Sequence, residues 1–169
     1  MHAKNVKVLV LDVDGVLTDG GIIYDGADTE MKVFNVKDGH GMKLLERSGI
    51  EIALITGRES AVVARRAGEL GITHVYQKAI DKLVAYDDLK EKLGLSDENF
   101  AYVGDDLLDI PLAKRVGFSV AVADANYELK SRVLYITKAD GGRGAVREVC
   151  EIILKSQGLW EGVMKRYDR

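Results

Sequence analysis

Acidic side chains recur in this 169-residue chain just after apolar runs, the places where an α/β fold exposes its strand ends. Asp12 and Asp14 close the stretch Leu9-Val10-Leu11-Asp12-Val13-Asp14-Gly15. If strand alternation continues through them, the two carboxylates project to one side, where one can attack phosphorus and the other handle protons. Asp-Gly is also a common turn signal, so the pair alone leaves a solvated acidic turn open. Further on, Val103-Gly104-Asp105-Asp106-Leu107-Leu108-Asp109 supplies a second cluster. Asp105, brought beside Asp12 by neighbouring strands, would complete an oxygen site for a hard cation such as Mg²⁺. Asp106 and Asp109 would orient ligands from behind, although acidic residues in a first helical turn also suit the helix dipole.

Two more segments carry polar groups at strand ends. In Ile55-Thr56-Gly57-Arg58 a hydroxyl and backbone N–H groups can meet an anion, or Thr56 can simply cap the helix expected from Glu59. Lys82 opens another expected helix, where the dipole disfavours a cation and a phosphate partner would rationalise one. Lys78 is a possible substitute for it, and solvation explains any single lysine.

The elements that must position these groups follow from the pattern of apolar residues. Strands are expected at Val6–Leu11, Ile50–Ile55, His74–Tyr76, Phe100–Val103, Ser119–Val122 and Val133–Ile136. Helices are expected at Gly41–Ser48, Glu59–Leu70, Lys82–Leu93, Leu107–Arg115 and Gly144–Gln157, with Gly49, Gly71, Gly94 and Gly117 as left-handed C-caps. This alternation predicts an α/β fold, a mostly parallel sheet flanked by helices. Gly21–Tyr24 and Glu30–Asn35, around the turn Asp25-Gly26-Ala27-Asp28, predict an inserted β-hairpin at about 21–35 and no large cap domain. Length and composition suit one globular domain over 1–169 with 47% hydrophobic and 30% charged residues. The net charge of −3 gives no reason to expect nucleic acid or an anionic membrane as partner. Cys150 is the only cysteine, so no intrachain disulfide can form. Met1–Val6 is too short and polar for a signal peptide, and no apolar run approaches the ~20 residues of a membrane span, so a cytoplasmic location is expected.

The order Asp-x-Asp-Gly, Thr-Gly, Lys, Gly-Asp-Asp resembles the haloacid dehalogenase-like phosphatase superfamily, whose fold is Rossmann-like. That resemblance implies Asp12 as nucleophile, Asp14 as general acid/base, and Thr56 and Lys82 as phosphate ligands. It also implies Mg²⁺ held by Asp12, the backbone carbonyl of Asp14, and Asp105. Leu11–Gly20, Phe34–Gly39, Ile55–Arg58, Tyr102–Asp106 and Gly141–Val149 look closer still to those members that dephosphorylate an eight-carbon sugar acid for lipopolysaccharide biosynthesis. The likeness spans nearly the whole chain and departs at Gln77-Lys78-Ala79, where these members more often read Gln-Gly.

A carboxylated sugar phosphate calls for guanidinium groups at its anionic end. The closer likeness marks Asn35, Val36, Lys37, Asp38, Gly39, Gly57, Arg58 and Arg66 as substrate contacts, with Lys43 beside them. Arg58 is expected to start a helix, with Arg66 two i,i+4 steps along the same ridge; Asn35–Gly39 is expected to be a polar turn where the hairpin rejoins the core. Arg143 either closes over the site or merely leads into a helix. The hairpin reads as too short to cover its own site, and the likeness implies a homotetramer in which each hairpin caps a neighbour's cleft. Three other readings compete: a phosphatase of a nine-carbon sialic-type sugar 9-phosphate, a non-catalytic oligomerisation module, and a phosphotransferase or mutase, which would carry a larger cap than the hairpin expected here. Arg58 and Arg143 favour the eight-carbon acid, and the intact Asp12, Asp14, Lys82 and Asp105 set argues against a non-catalytic role.

Overall fold

The computed structural model describes residues 2–27 and 29–168; Asp28, in the expected hairpin turn, lies outside them. Six strands form one sheet in the order β5-β4-β1-β6-β7-β8, every neighbouring pair parallel. These are β1 (Val8–Leu11), β4 (Glu51–Ile55), β5 (His74–Tyr76), β6 (Phe100–Gly104), β7 (Phe118–Ala121) and β8 (Tyr135–Ile136). All four residues of β1 and all five of β6 are buried, which is why both read as unbroken apolar runs. The antiparallel pair β2 (Ile23–Tyr24) and β3 (Glu30–Met31) is the inserted hairpin, shorter than expected.

Helices α1 (Val36–Arg47), α2 (Ala61–Leu70), α3 (Lys82–Leu93), α4 (Ile110–Ala113), α5 (Tyr127–Lys130), α6 (Ala145–Ser156) and α7 (Trp160–Met164) follow in the described chain. Short 3-10 turns lie at His2–Asn5, Asp97–Asn99 and Leu107–Asp109, the last replacing the start of the helix expected at Leu107–Arg115. Helix α1 packs on α6 and α2, and α3 packs on α4. Right-handed crossovers from a central β1 put these groups on opposite faces of the sheet. Every strand therefore ends on one rim, with the β1, β4 and β6 ends side by side.

Several sequence expectations need correction. Helix α1 begins five residues before Gly41, because the Asn35 side chain caps it by accepting from the N–H groups of Lys37 and Asp38. Asn35–Gly39 is thus a cap and a first helical turn rather than a polar turn. Ser60, not Thr56, takes the N-cap position of α2. Arg58 consequently lies outside that helix and shares no ridge with Arg66. Gly49, Gly71 and Gly94 have the positive φ of a C-cap, whereas Gly117 does not. Gly117 instead lets the Glu98 backbone pass 2.7 Å from where a Cβ would stand. No described helix is long and apolar enough to cross a membrane.

Candidate active site

Asp12 sits one residue beyond β1, its backbone N–H still donating to Val103 O of β6 at 3.1 Å. The chain then turns rather than continuing as a strand, with Leu17 N–H donating to Val13 O at 2.9 Å. Alternation is therefore not what brings Asp12 and Asp14 to one side; the turn does. Both line an open cleft of about 190 Å³ with Thr56, Gly57, Arg58, Lys82, Asp105, Asp106, Leu108 and Asp109.

The floor of this cleft is a buried charge network. Lys82 Nζ lies 2.9 Å from Asp12 Oδ2, donates to Asp109 Oδ1 at 2.6 Å and reaches the Tyr102 hydroxyl at 3.2 Å. The Tyr102 hydroxyl donates in turn to Asp109 Oδ1 at 2.5 Å. Asp109 Oδ2 accepts from the backbone N–H groups of Asp105 (2.7 Å) and Asp106 (3.1 Å). Asp109 thus has four donors of its own and holds both Lys82 and the Asp105 backbone in place. Burial would favour a neutral Lys82, but Asp12 and Asp109 more than offset it and raise its pKa.

One ammonium is too little positive charge for this site. Burial pushes the Asp12 carboxyl up to about 6, against the pull of Lys82. Burial, with the charges of Asp12 and Asp109, pushes Asp105 up to about 8. Carboxylate oxygens of Asp12, Asp105 and Asp109 lie within 4.8 Å of one another. A hard divalent cation fits this donor set and offsets the burial and the repulsion that raise both pKa values. Since Asp109 is already saturated by donors, Asp12 and Asp105 are the carboxylates free to ligate. Gly15 (φ +86°) keeps the pocket open: a Cβ there would stand 2.1 Å from Asp105 Oδ2.

The opposite wall is a second network, which sequence reasoning missed. Lys32, just beyond β3, has a side chain with 0% exposure and pairs with Asp14 Oδ1 and, at 3.1 Å, with Glu30 Oε1. Arg58 Nη2 donates to Glu30 Oε1 at 2.8 Å, and Arg58 Nε lies 3.6 Å from Asp14 Oδ2. The hairpin therefore does reach its own cleft, through side chains that its two-residue strands put within range. Period-2 alternation, which sets Glu30 and Lys32 on one face, is the sequence signal that was available.

Other expected contacts do not line this cleft. Lys43 pairs with Glu46 at 2.6 Å, and the Arg66 guanidinium sits 5.7 Å over the Phe34 ring and pairs with Glu69 at 3.3 Å. Asp38 is buried and accepts from Arg147 N–H of α6 at 2.8 Å, fastening α1 to α6. Val36 is 80% exposed and Lys37 is exposed. Lys78 pairs with Glu59 at 2.6 Å on the surface, so Lys82 alone reaches the cleft floor. Arg143 lies 3.5 Å from Asp19 in an exposed pair. The segment before it clasps the β1 loop to the hairpin base: Gly142 N–H donates to Val16 O at 2.9 Å, and its carbonyl accepts from Asn35 Nδ2 at 3.3 Å.

Known proteins share this fold. A sequence profile of the haloacid dehalogenase-like hydrolases matches residues 67–148. The 3-deoxy-D-manno-octulosonate 8-phosphate phosphatase of Escherichia coli K12 is 53% identical over 156 residues, 92% of this chain and 83% of that protein. The crystal structure of the corresponding phosphatase from Moraxella catarrhalis, in complex with magnesium, phosphate and the sugar acid, superposes with a TM-score of 0.97 at 46% identity, covering 99% of this chain and 96% of that one. A cobalt-bound phosphatase from Haemophilus influenzae superposes at 0.90 with 41% identity, covering 94% and 92%.

Proposed function

We propose that this chain, which belongs to the haloacid dehalogenase-like hydrolases and within them to the 3-deoxy-D-manno-octulosonate 8-phosphate phosphatases, hydrolyses that sugar-acid phosphate to the free acid and inorganic phosphate for lipopolysaccharide precursor biosynthesis. The observation that carries the reading is Asp12 buried between Lys82 and Asp105 at the end of β1. An aspartate so placed is a nucleophile held in line rather than a solvated turn residue. Its oxygen attacks phosphorus while the bond from phosphorus to the sugar oxygen breaks, and Asp14 gives that oxygen a proton. Asp14 then takes a proton from water, whose oxygen attacks the aspartyl-phosphate; the bond from Asp12 oxygen to phosphorus breaks and phosphate leaves. Lys82, Thr56 and Gly57 bind the phosphate oxygens. Asp12, Asp105 and the Asp14 backbone carbonyl would hold Mg²⁺, with Asp106 and Asp109 orienting them. When bound, Mg²⁺ neutralises charge on the phosphoryl oxygens.

The same reading extends to assembly. Ile22, Ile23, Tyr24, Met31 and Val33 leave the hairpin apolar and exposed, more than a two-stranded element carries comfortably in water. A homotetramer of cytoplasmic, single-domain subunits would cover it, each hairpin lying over a neighbouring cleft. Asn35, Val36, Lys37 and Arg66, near the hairpin base and off their own cleft, would then meet the sugar acid across a subunit boundary, whereas Asp38 and Gly39 are buried and the Lys43 ammonium lies toward Gly71 at the end of α2. Phosphate release across a panel of sugar phosphates tests the function. The eight-carbon sugar-acid 8-phosphate should be turned over fastest, and faster release from a nine-carbon sialic-type 9-phosphate would replace it as substrate. Light scattering on a chain shortened at the hairpin tip tests assembly: a fully active monomer would defeat the tetramer.

A further inference from the structure

Lys32 is a cation without an assigned task. Its side chain has no exposed surface, and a lysine is buried that completely only when its charge is matched. The match comes from two carboxylates on different elements: Asp14 in the loop after β1, and Glu30 of β3 at 3.1 Å. Arg58, after β4, closes the ring by pairing with Glu30 at 2.8 Å and standing 3.6 Å from Asp14. Lys32 is thus the buried centre of a network whose outer member, Arg58, is 42% exposed.

Resting on the phosphatase reading, we propose that Lys32 is a positioning residue: it holds the Asp14 carboxylate at the leaving-group side of the cleft and ties that placement to hairpin docking through Glu30. Asp14 lies within the turn that closes on Val13 O, just before Gly15 at φ +86°, so the backbone leaves its side-chain torsions free. A buried ammonium bridging it to the hairpin removes that freedom. Asp12 is held by a different lysine, Lys82, on a different wall. Each carboxylate of the pair therefore has its own buried cation, one fixed to the sheet and one fixed to the hairpin.

A positioning role on the acid predicts selectivity by leaving group. kcat/KM covers the reaction up to departure of the leaving group, so it excludes the later water-activating step. Departing 4-nitrophenolate needs no proton, phenolate (~10, as for tyrosine) gains from one, and a sugar alkoxide requires one. Lys32→Met should therefore lower kcat/KM least on 4-nitrophenyl phosphate, more on phenyl phosphate and most on the eight-carbon sugar-acid 8-phosphate. The spread from first to last should be about tenfold or more, within the range for lost general acid catalysis. Glu30→Gln, which keeps shape and leaves Lys32 with Asp14, should show the same order with a smaller spread. It carries the test if Lys32→Met fails to fold, as judged by thermal melting. Equal losses on all three substrates in the folded variants, or no loss, would overturn the positioning role while leaving the phosphatase reading intact. A wild-type protein that releases phosphate from none of the three would bring down both.

Discussion

Two charge networks face each other across one cleft, and they differ in what fixes them. The floor joins Asp12, Lys82, Asp109 and Tyr102, all buried and delivered by the paired strands β1 and β6, the turn before α4 or the start of α3. The wall joins Asp14, Lys32, Glu30 and Arg58, and two of its members come from a hairpin of two-residue strands. On the floor both carboxylates also accept from backbone N–H groups, Asp12 from Val13 and Asp109 from Asp105 and Asp106. On the wall, partners are mostly other side chains, so its geometry depends on the hairpin staying docked. The floor suits a nucleophile that must not move; the wall suits a proton carrier that serves two steps and a cleft that must admit a sugar.

Replacing the acidic member of each network is the sharpest way to separate them. Asp12→Asn should lower phosphate release on the order of 10⁴-fold or more, since the attacking group itself is lost. Asp14→Asn should lose roughly 10²–10⁴-fold and retain sugar-phosphate binding, since only proton transfer is removed. Steady-state kinetics with calorimetric binding would check both. A folded Asp12→Asn protein with substantial turnover would mean that the floor does not carry the nucleophile.

That contrast also explains what was readable from sequence. The floor was legible because strand ends announce themselves: continuous apolar runs stop at Asp12 and at Gly104, and α3 starts at Lys82 as expected. Tyr102 was hidden inside such a run, where an aromatic reads as core until its hydroxyl finds Asp109. On the wall, Lys32 stands between Met31 and Val33 in a segment with no partner in sight along the chain, and its meaning depends on the fold bringing Asp14 near. The start of α1 was missed because Gly39, His40 and Gly41 are poor helix formers, overridden by the Asn35 cap and by packing on α6.

A smaller effect tests the charge shortage on the floor. Without metal, Asp12 and Asp105 sit at about 6 and about 8, against an ordinary 3.8. Between those values the folded chain holds protons that the unfolded chain has released, so stability falls as pH rises through that window. Mg²⁺ binds the ionised carboxylates and opposes the fall, so its stabilisation should grow with pH. Melting temperatures from pH 5 to pH 8, in chelator and in Mg²⁺, should therefore diverge upward. Titrating groups elsewhere act equally in both conditions and cancel. Parallel curves would mean that Asp12 and Asp105 are not the ligands.

The smallest effect concerns the loop that delivers Lys82 to the floor. Lys78 is the one described non-glycine residue with positive φ, at 56°. A side chain in that left-handed region costs roughly 1–2 kcal/mol. Lys78→Gly relieves this cost but adds backbone freedom to the unfolded chain, worth up to about 1 kcal/mol. It also gives up the exposed pair with Glu59, which contributes at most about 1 kcal/mol and commonly far less. The net change should thus be small. Lys78→Ala loses the same ion pair and keeps the strain, so the difference between the two variants isolates the backbone. Urea denaturation should find the glycine variant more stable than the alanine variant by about 0.5–1 kcal/mol. Both should keep wild-type turnover, because Lys78 faces solvent and Lys82 alone reaches Asp12. A glycine variant less stable than the alanine variant by up to about 1 kcal/mol would mean that the loop carries no strain and that the floor is positioned by α3 and β6 without its help. A turnover that falls in both variants would tie the Lys78 side chain to the floor, which its pairing with Glu59 argues against.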